Sequence, residues 1–134
     1  MMTENQTRQN LLALIIEDDP KLAAVFAAAL QSANYTIEVI DEGQAAVKRL
    51  TAIKPDVVIL DLHLPFVSGA DLLQKIRADQ RLAQTYVIVV TADLFRVEAL
   101  RDQANIVLIK PVGFIRLQNI VAKLQATQMA QLVE

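Results

Sequence analysis

The sequence predicts an α/β fold in which helices cover both faces of a five-stranded parallel sheet. Short apolar runs alternate with segments of helical periodicity five times along the chain, which is the element order of such folds. Most of the runs are apolar at successive positions, as in parallel strands that are buried on both faces. A length of 134 residues suits one domain with its own hydrophobic core.

The five predicted strands are runs rich in Val, Ile and Leu. Glu38 interrupts the second run, so we expect this strand at an edge of the sheet. The runs cover residues 11–16, 36–40, 57–60, 87–90 and 106–109.

The first three helices have recognisable ends in the sequence. Pro20 suits the first turn of the first helix, and Asn34 can end it in the left-handed conformation that glycine usually supplies. The second helix is marked by apolar positions that end at Leu50. Ser68 and Asp71 form a capping-box pattern that starts the third helix.

The last two helical segments differ in strength. The fourth, residues 94–101, is weakly periodic, so we expect a short or irregular helix there. The last helix is predicted to begin near Gly113. Residues 127–134 could extend this helix into a dimer seam or a linker. We prefer the alternative that they form a frayed tail. Residues 1–10 are predicted to be a flexible tail, which leaves residues 11–126 as the domain.

The alternation of strands and helices restricts the topology. Right-handed crossovers leave few arrangements, and we expect a doubly wound, flavodoxin-like sheet with the strand order 2-1-3-4-5. In that architecture ligands bind beyond the carboxyl ends of the strands. The chemical residues are therefore expected at the strand ends.

Composition excludes several classes of protein. The net charge is only −2, and no run of Lys and Arg provides the basic surface that nucleic-acid binding requires. Cysteine is absent, which excludes disulfides and thiolate chemistry. No apolar run approaches the roughly 20 residues that a membrane span needs. We expect a cytoplasmic protein that contacts neither membrane nor nucleic acid.

Acidic residues follow two of the predicted strands. Glu17 and Asp18 come directly after the first, and Asp61 closes the third. Two carboxylates about 4 Å apart repel by roughly 4 kcal/mol at an effective dielectric near 20, so the group needs a cation. Oxygen ligands of this kind suit Mg2+, with Mn2+ as a substitute.

The fourth and fifth strands end in different chemical groups. Thr91 supplies a hydroxyl after the fourth, and Lys110 supplies an ammonium group after the fifth. Carboxylates, a metal ion, a hydroxyl and an ammonium group at one edge together favour a site for a phosphoryl group.

These residues form four short motifs, each at the end of the appropriate predicted strand. They are Glu17-Asp18-Asp19-Pro20, then Asp61-Leu62-His63-Leu64-Pro65 with Gly69, then Thr91-Ala92, and finally Lys110-Pro111. With the motifs in this order, residues 11–126 resemble the receiver domains of two-component response regulators, of the chemotaxis-regulator type. A single motif would be a weak signal, but the four in sequence are specific.

The resemblance implies a phosphorylation switch. Asp61 would accept a phosphoryl group from a sensor histidine kinase or a histidine phosphotransfer protein, and the change would alter the binding of a downstream protein or effector domain. Asp18 and Asp61 would hold Mg2+, with Glu17 acting through water and the backbone carbonyl of His63 as a further ligand. Lys110 would pair with the carboxylate or the phosphoryl group.

The resemblance also assigns residues to the switch. The Thr91 hydroxyl would turn toward the phosphoryl oxygens, and the small Ala92 would leave them accessible. The bond before Pro111 would be cis. Val107 stands where the family often has a switch aromatic, and the stretch between Thr91 and Lys110 is shorter than usual. The output mechanism is therefore open.

The roles of two residues and three rival functions stay open. Asp19 could simply cap the first helix, and the His63 side chain could tune dephosphorylation. A haloacid-dehalogenase-like phosphatase needs a second acid where His63 stands, and a nucleotide binder needs a phosphate-cradling loop where Glu17 begins an acidic run. A degenerate receiver that only docks partners is the third rival, suggested by Val107.

Overall fold

A computed structural model of the protein describes residues 10–132. Within this range, five strands form one sheet in the order β2-β1-β3-β4-β5, and each neighbouring pair is parallel. The predicted fold class and strand order are confirmed, with β2 at an edge. The strands are β1 (Leu11–Ile16), β2 (Tyr35–Ile40), β3 (Val57–Asp61), β4 (Tyr86–Thr91) and β5 (Ile106–Ile109).

Five helices pack on the two faces of this sheet. Because successive side chains of a strand point to opposite faces, Ala13 and Ile15 belong to one core while Leu14 and Ile16 belong to the other. The first core is covered by α1 and α5, and the second by α2, α3 and α4. The helices are α1 (Pro20–Ser32), α2 (Gly43–Leu50), α3 (Gly69–Ala78), α4 (Val97–Leu100) and α5 (Phe114–Leu132).

Local capping explains where the first and third helices begin and end. The Asp19 carboxylate accepts a hydrogen bond from the Lys21 N–H at 2.9 Å, and Asn34 ends the turn after α1 with φ of 66°. Ser68 caps α3, although its hydroxyl accepts from the N–H of Ala70, one residue before the position that a capping box uses. The predicted ends are thus confirmed.

The fourth helical segment is short and irregular, as predicted. A 3-10 turn at Leu94–Arg96 precedes the four residues of α4. In the stretch between β4 and β5, only Leu100 and Ala104 are buried. With so little apolar surface facing the core, the segment has little to stabilise a longer helix.

Helix α5 continues beyond the predicted domain boundary. The buried Gln128 side chain accepts a hydrogen bond from the Tyr35 hydroxyl at 2.7 Å and donates to the carbonyl of Asp56 at 2.9 Å. Met129 and Leu132 pack against the core between the sheet and α1. The prediction of a frayed tail is therefore wrong for residues 127–132, which are helical. Met129 and Leu132 pack on their own domain and not outward, where a seam with a second copy would need them. Residues 1–9 and 133–134, including most of the predicted N-terminal tail, lie outside the described residues.

No helix within residues 10–132 combines the length and the apolar character that a membrane crossing demands.

Gly69 allows the loop after β3 to pack closely on the strand end. A Cβ atom at this position would lie 2.7 Å from the Cα and carbonyl oxygen of Leu62 and 2.8 Å from the carbonyl oxygen of Asp61. Backbone atoms cannot move aside as a flexible side chain can, so Gly69→Ala should lower the free energy of unfolding by about 1–3 kcal/mol. Urea titration followed by circular dichroism measures this loss.

Gly113 provides the control for that experiment. A Cβ atom there would meet nothing within 4 Å, so Gly113→Ala should cost less than Gly69→Ala. Equal losses in the two variants would show that close packing of the loop is not the reason for glycine at position 69.

Candidate functional site

Four strands bring ionisable and hydroxyl side chains to one edge of the sheet. Glu17 follows β1, Asp61 and Thr91 are the last residues of β3 and β4, and Lys110 follows β5. Since all strands run in the same direction, their carboxyl ends meet at this edge. Glu17, Asp61 and Thr91 are buried, with exposures of 1%, 2% and 0%, while Asp18 is exposed.

Three carboxylates form a cluster at this edge. Glu17, Asp18 and Asp61 each offer one oxygen, and these oxygens all lie within 4.8 Å of one another. Among residues 10–132, Oε1 of Glu17 is the one buried side-chain polar atom without a hydrogen-bond partner. A buried acceptor without a donor is costly. The cluster therefore fits a hard cation with oxygen ligands, such as Mg2+.

Lys110 is the positive group closest to these carboxylates in the described contacts. Its Nζ lies 3.1 Å from Oδ1 of Asp61 and 3.8 Å from Oε1 of Glu17, and its side chain is 23% exposed. Oδ1 of Asp61 also accepts a hydrogen bond from the His63 N–H at 3.1 Å. The peptide bond between Lys110 and Pro111 is cis, as expected.

The crowding of acids changes the protonation of Glu17. Burial raises the pKa of Glu17 from 4.5 to about 7, the neighbouring Asp61 carboxylate adds to the rise, and the charge of Lys110 offsets only part of it. Without a metal ion, a proton on Glu17 is therefore present in a large fraction of molecules near neutral pH.

The Thr91 hydroxyl is linked to the turn that follows β4. Its oxygen accepts a hydrogen bond from the Asp93 N–H at 3.0 Å, and the Asp93 carboxylate accepts one from the Phe95 N–H at 3.0 Å. Ala92, between them in sequence, is exposed beside the site. Any rotation of the Thr91 side chain thus acts on the turn through Asp93.

Of the other predicted residues, Asp19 and His63 lie near this edge and Val107 lies within β5. Asp19 caps α1, which is the structural alternative for this acid, and its N–H donates to Oε2 of Glu17 at 3.2 Å. His63 is exposed on the loop after β3. Val107 is partly buried in β5 and packs against the core under α2, α3 and α4. Its effect on any switch stays a prediction.

Exposed aromatic residues in the adjoining loops were not predicted. Phe66 lies between Asp61 and α3 with φ of 69° and an exposure of 95%, and the Val67 N–H donates to the Pro65 carbonyl across it at 2.8 Å. Phe95 is 98% exposed. An aromatic residue at positive φ is unusual, and no periodic pattern in the sequence signals it.

Comparison with known proteins agrees with this geometry. The sequence model of the family described as "Response regulator receiver domain" matches residues 13–122. An uncharacterized response regulatory protein of Vibrio vulnificus is 37% identical over 118 residues, which cover 85% of this chain and 47% of the relative. The chain thus spans about half the length of the curated relatives it matches first.

Solved structures share the fold. A signal receiver domain from Vibrio parahaemolyticus is 29% identical with a TM-score of 0.80, over 93% of this chain and 98% of that one. The receiver domain of the sensor histidine kinase PA1611 from Pseudomonas aeruginosa is 25% identical with a TM-score of 0.73, over 87% and 98% of the two chains. That crystal structure has a magnesium ion coordinated in its active site cleft.

The family model covers most of the domain, the five-stranded parallel fold is shared with the structural neighbours, and the four motifs of the sequence converge at one edge of the sheet. On these grounds the chain belongs to the family of response regulator receiver domains.

Proposed function

We propose that the protein is a phosphorylation switch in which Asp61 accepts a phosphoryl group from a phosphohistidine. One observation carries this proposal. A buried aspartate lies at the strand edge together with two further carboxylates, a hydroxyl and an ammonium group that contacts it. This set supplies a nucleophile and the means of neutralising charge, which are the main requirements of phosphoryl transfer.

The proposed transfer needs no general base. An ionised Asp61 oxygen attacks phosphorus, a P–O bond forms and the P–N bond to the imidazole breaks. The electron pair of that bond stays on the imidazole nitrogen, which takes a proton from water. Lys110, which lies 3.1 Å from Asp61, would interact with the negative charge of the transferred group.

The residues that would hold a metal ion are Asp18 and Asp61 directly, Glu17 through water, and His63 through its backbone carbonyl. The unsatisfied oxygen of Glu17 and the all-oxygen donor set support Mg2+, with Mn2+ as a substitute. Bound there, Mg2+ would neutralise the carboxylates and the phosphoryl oxygens. The magnesium ion in the related receiver domain supports the same assignment.

The switch would begin at Thr91. A hydrogen bond from its hydroxyl to a phosphoryl oxygen is worth about 1.5–3 kcal/mol, enough to shift a two-state equilibrium roughly 10- to 100-fold. The Thr91 oxygen now accepts from the Asp93 N–H, so its rotation would move the turn beyond it. Ala92 would leave the phosphoryl group accessible to water and to partner proteins.

The partners are proposed from the family. A sensor histidine kinase or a histidine phosphotransfer protein would supply the phosphoryl group, and a downstream protein or an effector domain would receive the signal. A homodimer through the last helix is the less preferred alternative, and Met129 and Leu132 pack on their own domain instead. Because the chain spans about half of its curated relatives, the output of a whole regulator is a separate question. The cytoplasmic location and the lack of contact with nucleic acid stay predictions.

The test is intact mass measurement after incubation with Mg2+ and acetyl phosphate. We expect one phosphate adduct on the parent protein and none on Asp61→Asn, because an amide oxygen is a poor nucleophile. Asp71→Asn, which changes an exposed aspartate on α3, should be modified like the parent. Chelation of Mg2+ with EDTA should prevent the adduct in both.

A docking module that works without phosphorylation is the second candidate. The short α4 and the aliphatic Val107 favour it, because both alter the surface beside β5. No adduct and no effect of Mg2+ on thermal stability would support this candidate over a phosphorylation switch. Sustained release of phosphate from phosphate monoesters would instead favour a phosphatase.

A further inference from the structure

The stretch after the Thr91 hydroxyl is weakly attached to the rest of the domain. We refer to residues 92–102 as the switch segment. Leu100 is its one buried residue, whereas Leu94 and Phe95 are 67% and 98% exposed. A segment with few buried apolar contacts moves at low free-energy cost. What holds its two ends therefore decides how far a movement spreads.

The first end is held by the site itself. The Asp93 N–H donates to the Thr91 hydroxyl, and the Asp93 carboxylate accepts from the Phe95 N–H. The Arg96 N–H donates to the Asp93 carbonyl at 3.3 Å. These bonds make the 3-10 turn one unit, so that a change at Thr91 reaches Leu94 and Phe95 directly.

The second end is held by an arginine of α3 together with contacts to β4. Nε of Arg77 donates to the carbonyl of Gln103 at 2.6 Å, Nη1 to the carbonyl of Thr85 at 3.0 Å, and Nη2 to Oδ1 of Asn105 at 2.6 Å. The guanidinium group thus joins α3, the residue before β4 and the residues before β5. Its planar array of donors suits three acceptors at once.

Asn105 extends this connection to the sheet. Its Oδ1 also accepts from the Val87 N–H at 2.7 Å, and its own N–H donates to the Val87 carbonyl at 3.0 Å. Residues 103–105 are therefore bound both to Arg77 and to β4. They lie at the amino ends of the strands, at the edge of the sheet opposite to Asp61.

Arg77 is half-buried, and its three acceptors are neutral oxygens. Partial desolvation lowers the pKa of its guanidinium group, which nevertheless stays charged at any physiological pH. Hydrogen bonds from a charged donor are stronger than neutral ones. The cost of burying the charge is thus offset only while all three acceptors stay in place, which favours a fixed position for residues 103–105.

We propose that Arg77 is a positioning residue that confines the phosphorylation response to the switch segment. This inference rests on the proposed phosphorylation of Asp61. With residues 103–105 anchored, a movement that begins at Thr91 is taken up between residues 92 and 102 and displaces Leu94 and Phe95. Without the anchor, the same movement spreads into the start of β5.

Amide chemical shifts of 15N-labelled protein, recorded with Mg2+ before and after addition of acetyl phosphate, test this inference. In the parent, we expect shift changes across residues 92–100 and none at Asn105 and Ile106; the Gln103 amide is left out because it donates to the Leu100 carbonyl inside the switch segment. In Arg77→Met, which keeps the apolar stem but removes the donors, the amides of Asn105 and Ile106 should also shift. Asn105 and Ile106 lie at the amino end of β5, away from the phosphorylated edge, so direct effects of the phosphoryl group do not reach their amides.

Arg81→Met is the matched control. Arg81 also donates to backbone carbonyls, but these belong to Leu50 at the end of α2 and to Ile53 in the connection between α2 and β3. This variant should keep the confined pattern of the parent. Shift changes at Asn105 and Ile106 in Arg81→Met as well would mean that general loosening, and not the Arg77 anchor, causes the spread.

A second variant guards against failure of Arg77→Met to fold. Asn105→Ala removes one acceptor of Arg77 and the side-chain bond to Val87, while Arg77 keeps its bonds to Gln103 and Thr85. It too should extend the shift changes to Ile106. A response that stays confined in Asn105→Ala and in any folded Arg77→Met overturns the inference.

Intact mass measurement of the same samples distinguishes failure of the Arg77 inference from failure of the proposed function. An adduct on Asp61 with an unconfined response in the parent contradicts the role of Arg77 but leaves the proposed function intact. Absence of the adduct contradicts the proposed function itself.

Discussion

Replacing Glu17 with glutamine is expected to stabilise the metal-free protein at pH 8, although the change removes a proposed metal ligand. The Glu17 carboxylate is 1% exposed and faces the carboxylate of Asp61. Its pKa of about 7, against an ordinary value of 4.5, means that ionisation is disfavoured in the folded state. One unit of pKa corresponds to about 1.4 kcal/mol. Replacing the carboxylate with a neutral amide should therefore raise the free energy of unfolding by a few kcal/mol at pH 8.

The pH dependence has a definite sign. Between pH 4.5 and about 7, the folded protein keeps a proton on Glu17 that the unfolded chain has already released. Stability of the parent should therefore be highest below pH 4.5 with respect to this group, and should fall as the pH rises through this window. Glu17→Gln should lack this part of the decline.

Urea titrations in EDTA between pH 5 and 8 measure both effects. Asp18→Asn is the control, because the exposed Asp18 side chain should change metal-free stability much less. Addition of Mg2+ should raise the melting temperature of the parent more than that of Glu17→Gln. A variant less stable than the parent at pH 8 without metal would contradict the assigned crowding of the carboxylates.

Replacing Lys110 with methionine is expected to have the opposite effect. The change leaves the buried Glu17 and Asp61 without the ammonium group that lies 3.8 and 3.1 Å from them. Loss of one partner from a fully buried pair costs about 3–5 kcal/mol, and the partial exposure of Lys110 should reduce this to roughly 2–3 kcal/mol without metal. Phosphorylation by acetyl phosphate should slow by roughly a hundredfold, because a donor to the transferred group is lost.

Urea titration in EDTA and the initial rate of adduct formation measure the two effects of Lys110→Met. Lys21→Met, which changes an exposed lysine at the start of α1, should behave like the parent in both. Mg2+ should recover part of the lost stability, because it supplies positive charge to the same oxygens. Unchanged stability together with an unchanged rate would remove Lys110 from the site.

The fold and the membership of the site were predictable because both depend on features that are local in sequence. Apolar runs mark buried strands, and parallel strands bring their carboxyl ends to one edge. Glu17, Asp61, Thr91 and Lys110 each stand at the end of such a run. Helix caps are local too, since each acts over two or three residues.

The sequence by itself therefore determined which groups meet at the edge of the sheet, but not how each is used. Glu17 and Asp18 are adjacent acids, and only the packing decided that one is buried with a raised pKa while the other faces solvent.

The extension of α5 and the position of residues 103–105 were decided by contacts between distant residues. Gln128 meets Tyr35 and Asp56, and Arg77 meets Asn105. Periodicity does not reveal such pairs. A polar side chain in a helical pattern is predicted to face solvent, because its buried partner is distant in sequence. The hydrogen bonds that offset the cost of burying these polar side chains exist only once the tertiary structure has formed.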